Sequence, residues 1–509
     1  MDKKKVVIIG SGIAGLASAC YLSKKGYSVT LLEKNTTIGG RANIFEKDGF
    51  RFDMGPSWYL MPDIFEHFYS LMGEKIEDHF TLTKLSPSYR VFFKDEVDEH
   101  GNPLKIDLYS DVEKVKKIFE HIEKGSAQKL TKYLEYSKYG YEIAKRDFMY
   151  KNYNSLFDFL TPQIAFEGSK LRVFSKMHNY VKKFFKSPIL QKIIEYQLVF
   201  LGSSPYNTPA LYNIMNHIDF NMGVFYPKGG IYEIPKSLER IALKHGTRIR
   251  TNSPVAKILV NDRTSEVTGV QLESGECIDA DIVISNADMH HTETKLLDEK
   301  YRKYDEKYWQ KRVMAPSAFM LYLGINKKIP ELLHHTLIFS KDWELNFEQI
   351  FDKPQFPTDP SLYICAPSKN DSSVAPEGKE NVFVLVPIAS GLEYTDDDLE
   401  HYKKKILATI SQELHIDDLN EHIVYSRIFC VKDFYSMYNS YKGTALGLAH
   451  TLSQTALFRP NNYSKKVKNL YYAGAGTNPG IGVPICLISG ELVYKRIEGI
   501  KNPHPLKTL

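Results

Sequence analysis

Apolar residues open the chain as a β-rich run over residues 4–9. Glycines interrupt it over 10–15, and from 16 to 25 the apolar positions recur at helical spacing. A second β-rich run, 28–33, completes a strand, helix, strand unit. Over 80–110 short apolar and polar runs alternate, at 89–93 and 104–109, which predicts antiparallel strands of a second domain inserted into the first. Residues 111–215 read as mostly helical. After Gly229-Gly230 a helical pattern at 234–245 leads into strands at 247–251, 255–260, 267–272 and 282–285, a predicted return to the first domain. Strands at 318–323, 362–366 and 382–387 then precede a helix near 396–414. The chain closes with a strand at 470–473, a Gly/Pro loop and a helix from about 485.

The pattern contains no internal repeat and no low-complexity linker, so the domains interleave. Residues 1–75, 230–295 and 460–509 are read as a Rossmann-like α/β domain, 80–110 and 300–455 as a mixed-sheet domain, and 111–228 as a helical region. Composition agrees with a folded enzyme-sized protein: of 509 residues, 43% are hydrophobic and 25% charged. The balance of 66 Lys and Arg against 61 Asp and Glu leaves +5, too little over this length to signal a nucleic-acid partner. Aromatic content, 13% with 33 Tyr and 28 Phe, exceeds what packing strictly needs.

Cys20, Cys277, Cys365, Cys430 and Cys486 lie far apart with no CxxC pair, which argues against a disulfide framework or zinc site and for a reducing, cytoplasmic compartment. Their apolar surroundings predict inert burial. The basic, apolar N-terminus imitates a signal peptide, but its spaced glycines read as folded structure. No window reaches the length of a spanning helix; the richest, 189–215, contains Lys192, Glu195 and two prolines.

Candidate chemistry starts with Gly10, Gly12 and Gly15 in GSGIAG, with Ile13 and Ala14 between the last two. Such glycines allow a tight turn, close approach of backbone to a pyrophosphate, and packing of helix on strand. Glu33 follows 18 residues after Gly15, placed with Lys34 to meet a ribose, and six residues later come Gly39, Gly40 and Arg41. That second glycine turn with a cation favours FAD over NAD; the alternative is an ordinary β-turn with a surface arginine. Gly55, Pro56 and Ser57 form a third loop. Gly474, Gly476, Thr477, Pro479, Gly480, Gly482, Val483 and Pro484 form a fourth, suited to an anion or flat ring beside a helix terminus. The pairs His290-His291 and His334-His335 read as loop or helix-start residues, and no metal site is expected. There is no GxSxG nucleophile motif.

With GSGIAG, Glu33, GGR, FDMGPS and AGAGTNPGIGVP in this order, the chain resembles the carotenoid desaturases of the bacterial phytoene desaturase type, a branch of the FAD-dependent amine-oxidase-like superfamily. The resemblance runs essentially end to end and extends to LGSSP at 201–205, YPKGG at 226–230, ADIVISNAD at 280–288 and QTALFRP at 454–460. It implies FAD as cofactor, Val255 offering backbone to the adenine, and the last glycine loop lying against the flavin. Two departures stand out: Asn478 where His is frequent and Ile481 where a small residue is usual.

The resemblance further implies hydride transfer from an allylic carbon of phytoene or diapophytoene, with quinone or oxygen as final acceptor. By family position Asp158, Lys311 and Arg312 are the candidates for steadying charge or taking the proton; surface helix charge is the alternative for each. Competing readings are a carotenoid oxidase or another amine-oxidase-like flavoenzyme, and a prenyl-binding carrier of the GDP-dissociation-inhibitor kind. Between Glu167 and Glu195 no acid intervenes, yet Lys170, Arg172, Lys176, Lys182, Lys183, Lys186 and Lys192 all occur. At helical spacing Leu171, Val173, Phe174, Met177, Val181, Phe184 and Phe185 fall opposite most of these cations. This is the profile of a peripheral helix on a membrane surface or, alternatively, of a core-facing helix with a solvated basic back.

Overall fold

A computed structural model describes residues 3–154, 172, 175–455 and 458–509. The N-terminal apolar run becomes β1 (Lys5–Ile9), the centre of a five-stranded parallel sheet with β2 (Ser28–Leu32), β9 (Arg248–Arg250), β13 (Ile282–Ser285) and β19 (Leu470–Tyr472). The order β19-β13-β1-β2-β9 joins three distant stretches of chain, with Val6 beside Ile282 and Val29. The buried face of β1 and β2 packs on the first helix, Ile13–Lys25, and on the helix Glu233–Lys244. The first helix begins at Ile13, inside the glycine motif and earlier than its apolar spacing predicts, because Gly15 belongs to its first turn.

The hairpin β3 (Ile44–Lys47) and β4 (Phe50–Asp53) leads from this sheet towards the second one. There, β6 (Tyr89–Val97), β7 (Pro103–Leu108), β14 (Ser317–Ile325), β15 (His335–Phe339), β16 (Leu362–Cys365), β17 (Glu380–Ile388) and β18 (Ile423–Phe429) stand in the order β18-β14-β17-β16-β15-β6-β7. All pairs are antiparallel except β15 with β6, where Thr336 lies beside Arg90. Interior strand β14 is buried along its whole length, as its largely apolar sequence SAFMLYLGI requires of a strand covered on both faces. Smaller sheets are formed by β10 (Val255–Asn261), β11 (Glu266–Leu272) and β12 (Cys277–Asp279), and by β5 (Leu82–Lys84) with β8 (Phe225–Pro227).

The helices Val112–Ile122, Ser126–Ile143 and Pro188–Glu195 share a core with the seven-stranded sheet, through Val115, Phe119, Leu130, Tyr133 and Ile193. The basic segment is not one long helix: its described part forms a five-residue helix, Met177–Val181, followed by a turn. Met177, Tyr180, Val181 and Phe185 are buried against Phe119, Tyr133 and Leu134, so its apolar side faces protein. Arg172, Lys176, Lys182, Lys183 and Lys186 are exposed on the outside. Among the described residues no helix is long and apolar enough to cross a membrane. The five cysteines are free; Cys277 on β12 is exposed rather than buried, because β12 is a short outer strand.

Candidate functional site

One cavity of about 1280 Å³ runs from the C-terminal ends of β1 and β2 into the face of the seven-stranded sheet. At its first end the walls are largely backbone. Gly10, Gly12, Ile13, Ala14, Gly39 and Gly40 line it where two turns meet, held by the Gly39 N–H donating to the Ser11 carbonyl at 3.0 Å. Gly15 stands one layer back, where a Cβ would lie 2.2 Å from the Gly10 carbonyl oxygen, so this close approach admits only glycine. The helix at Ile13–Lys25 has no side-chain cap and no acid in its first turn, which leaves its N-terminal N–H groups free to face an anion.

Glu33 is buried at the same end. Its Oε2 accepts from the Ser11 N–H (2.9 Å) and hydroxyl (2.7 Å), and its Oε1 from the Asn35 N–H (2.9 Å), which ties the strand end to the glycine turn. Lys34 donates to the Ser436 carbonyl at 2.7 Å, and burial lowers its pKa. Arg41 donates through Nη2 to Ser440 Oγ at 2.9 Å, while its Nε is buried without a protein partner. Val255 lines the cavity at the start of β10, and nearby Asp288 has its pKa raised by burial, with Arg41 opposing.

The fourth loop closes the middle of the cavity. Gly474, Gly476, Pro479, Gly482, Val483 and Pro484 line it at the uncapped N-terminus of the last helix, Val483–Ile497. Thr477 and Gly480 stand behind them. At Gly480 a Cβ would lie 2.4 Å from the His450 ring, and the φ of +136° disfavours any side chain. Arg459, only 2% exposed, donates to the carbonyls of Ala475 (2.7 Å), Leu448 (3.0 Å), Thr477 (3.1 Å) and Gln454 (3.3 Å). It thus fixes the loop with one buried cation, whose pKa burial lowers to about 10. The Ile481 N–H donates to His450 Nε2 at 3.3 Å, and His450 Nδ1 pairs with the Tyr212 hydroxyl at 2.8 Å. Burial holds His450 well below its ordinary pKa, as a neutral ring.

Beyond this loop and Gly55, Pro56 and Ser57 the lining becomes apolar and aromatic, with Trp58, Tyr196, Met320, Leu337, Phe339 and Trp343. Behind Tyr196, buried Asp219 accepts from the Tyr89 hydroxyl at 2.7 Å and from Gln197, and burial raises its pKa to about 7.

Of the residues expected to act on substrate, Lys311 is exposed and Arg312 lies 4.5 Å over the Tyr308 ring; neither reaches the cavity wall. Both follow a short helix on the outside of the molecule, and a basic pair at a helix end reads alike whether it faces solvent or a site. Asp158 lies outside the described residues. His450, Arg459, Trp58 and Trp343 were not singled out by sequence. The stretch HTLSQTALFRP offered a signal for the first two, since an arginine amid apolar residues calls for buried acceptors.

The lining fits an extended dinucleotide with a flat ring: an unpartnered guanidinium N–H, a shaped carboxylate and two uncapped helix termini face one cleft. Comparisons with known proteins point the same way. The model of a family described as flavin containing amine oxidoreductase matches residues 13–497. Carotenoid 3,4-desaturase of Haloarcula japonica is 46% identical, over 96% of this chain and 97% of that protein. The zeta-carotene-forming phytoene desaturase of Myxococcus xanthus is 36% identical, over 97% and 94%. A 4,4'-diapophytoene desaturase (4,4'-diaponeurosporene-forming) of Staphylococcus aureus is 33% identical, over 96% and 97%. Among solved structures, putrescine oxidase bound to putrescine matches with a TM-score of 0.61 at 15% identity, covering 98% of this chain and 99% of that one. Rab GDI of Plasmodium falciparum matches with 0.57 at 13%, also over 98% and 99%. At such identities these two establish the fold alone.

Proposed function

From the premise that the chain belongs to the flavin containing amine oxidoreductase family, as an FAD-dependent oxidoreductase, we propose that it is a desaturase that introduces conjugated double bonds into a carotenoid precursor. The observation that carries this reading is the continuity of the glycine-lined cleft with an aromatic chamber inside one cavity of about 1280 Å³. The three desaturase relatives are named for a 3,4-desaturation, for phytoene and for diapophytoene; desaturation of a long isoprenoid is common to all three.

We assign the pyrophosphate to Gly10, Gly12, Gly40 and the first helix terminus, with Arg41 Nε as a further donor. The ribose goes to Glu33 and Lys34, the adenine to backbone at Val255, and the flavin ring to the Gly55–Ser57 turn and the 474–484 loop. FAD, when bound, supplies the two-electron acceptor for a hydride taken from carbon. The chain's own part is positioning and exclusion of water. Arg459 and His450 hold the 475–481 loop from behind, so its backbone dipoles are preorganised rather than mobile. A hydrocarbon offers no hydrogen-bonding group, so Trp58, Tyr196, Phe339 and Trp343 hold it by shape and apolar burial. Their π faces also favour the positive charge that develops as hydride leaves, and the adjacent carbon then gives up a proton, ultimately to solvent, to complete the double bond.

Such a substrate is carried by lipid, and we place its pick-up at a membrane surface. The outward cations Arg172, Lys176, Lys182, Lys183 and Lys186, beside exposed Tyr136 and Tyr139, suit anionic headgroups without insertion of a helix. A quinone or dioxygen then takes the electrons. The test is anaerobic mixing of the flavin-loaded protein with phytoene, diapophytoene or an already conjugated carotenoid in anionic vesicles. Bleaching of the flavin band with formation of a longer chromophore supports the proposal; an unchanged spectrum with all three refutes it. The carrier reading predicts that purified protein holds no flavin.

A further inference from the structure

We propose that His334, His335 and Cys365 form a binding site for a zinc-like divalent transition-metal ion, a structural site behind the wall of the hydrocarbon chamber. His335 on β15 and Cys365 on β16 are direct partners in the antiparallel register, so their side chains leave the sheet on the same face. His334, one residue before β15, brings its ring centroid within 4.5 Å of the His335 ring. One ligand atom from each of the three lies within 4.8 Å of the others. The three are 3%, 0% and 1% exposed.

The hydrogen bonds of the two rings give the independent observation. His334 Nδ1 meets Asn370 Oδ1 at 3.1 Å and His335 Nδ1 meets the Tyr363 hydroxyl at 2.8 Å, whereas the Nε2 atoms of both rings are buried without a protein partner. One nitrogen oriented by a neighbour while the other is left open is the habit of a metal-ligating imidazole. A void of about 10 Å³, room for about one small occupant, touches His334 and Cys365 along with Asp53, Ser57 and Asn381; His335 does not border it and reaches the other two ligands from beside it. Two imidazoles and a thiolate are a borderline-soft set that selects zinc-like ions over magnesium or calcium. Binding would release the Cys365 thiol proton to solvent and leave a fourth position for water.

The site would act on the fold through its neighbours. Trp58 stacks on the His335 ring at 4.1 Å, and Ser57 Oγ lies 2.6 Å from the Tyr363 hydroxyl. An ion there would pin the β15–β16 pair to the loop that presents Trp58 to the cavity.

The experiment uses the full-length, flavin-loaded protein without a polyhistidine tag, stripped with chelator, incubated with Zn²⁺ alone and gel-filtered. Mass spectrometry should find roughly one zinc per chain, with a higher melting temperature, and zinc-edge X-ray absorption should report sulfur and imidazole ligands. Cys365→Ser should weaken zinc binding roughly tenfold or more, Cys365→His should retain it, and Cys277→Ser should leave it unchanged. Absence of zinc in the wild type, a shell without sulfur, or equal binding by Cys365→Ser would overturn the proposal, leaving water as the occupant of the void. The X-ray absorption of the wild type decides the matter even if a variant fails to fold.

Discussion

At the glycine-rich end of the cavity the walls are backbone, set by Gly10, Gly12, Gly39 and Gly40; at the far end they are rings, Trp58, Tyr196, Phe339 and Trp343. The first end works by what is missing, since a Cβ at Gly15 would strike the Gly10 carbonyl and no other residue can serve. The second works by volume, and several bulky apolar residues could fill each position. One end is therefore intolerant and specific in its chemistry, and the other tolerant and selective only by shape. Substitutions at the two ends should separate flavin retention from substrate handling.

The largest effect is expected for Gly15→Ala. Its clash is with backbone, at or above the ~3 kcal/mol end of overpacking, so soluble yield and flavin absorbance should both collapse. Arg459→Ala comes next. Four carbonyls lose their donor at roughly 1 kcal/mol each, so urea melts should lose about 4 kcal/mol and flavin should wash out on gel filtration. Trp343→Ala should keep its flavin yet lower kcat/KM for the polyene by roughly 10- to 100-fold, measured by pigment formation in vesicles. Flavin loss in Trp343→Ala would break the separation of the two ends.

Asp219 gives a smaller, pH-dependent effect. Its pKa is raised from an ordinary 3.8 to about 7 by burial, so the native state holds the proton more tightly than the unfolded chain. The associated stability is full below pH 3.8 and is lost as pH rises through about 7. Asp219→Asn removes that slope, so the difference in unfolding free energy should move in the variant's favour across this window, by up to about 1.4 kcal/mol per pH unit. Parallel pH profiles would show that the native carboxyl titrates at its ordinary value. Least of all, Lys182→Glu with Lys183→Glu should weaken binding to anionic vesicles by about 1 kcal/mol per lysine removed, and leave flavin content and turnover in detergent unchanged.

The same contrast explains what could be read in the chain. Gly10, Gly12, Gly15, Glu33 and the 474–484 loop were legible because backbone chemistry demands fixed residue types at fixed spacing. Of the aromatic chamber, the excess of Tyr and Phe and the stretch that begins at Tyr196 were legible, but Trp58 and Trp343 were not, because only the seven-stranded sheet and its helices bring these unrelated stretches together. The basic segment shows the limit of periodicity. Met177, Val181 and Phe185 have the spacing of an amphipathic face, but whether it meets lipid or Tyr133 and Phe119 is decided by tertiary packing. Likewise His334, His335 and Cys365 carry no ligand spacing; strand pairing between residues 30 apart unites the last two. Lys311 and Arg312 stand outside the cavity wall, since charge at a helix end does not reveal which way the helix faces.

The most direct test of the central claim is co-expression of the intact chain with pathways that make phytoene, diapophytoene or an already conjugated carotenoid, followed by absorption spectra of the extracted pigments. A product with a longer conjugated system than the precursor is the expected result in at least one pathway, and Trp343→Ala should diminish it while flavin stays bound. Unchanged precursor in all three, from protein that carries its flavin, would contradict the assignment of the aromatic chamber to a polyene.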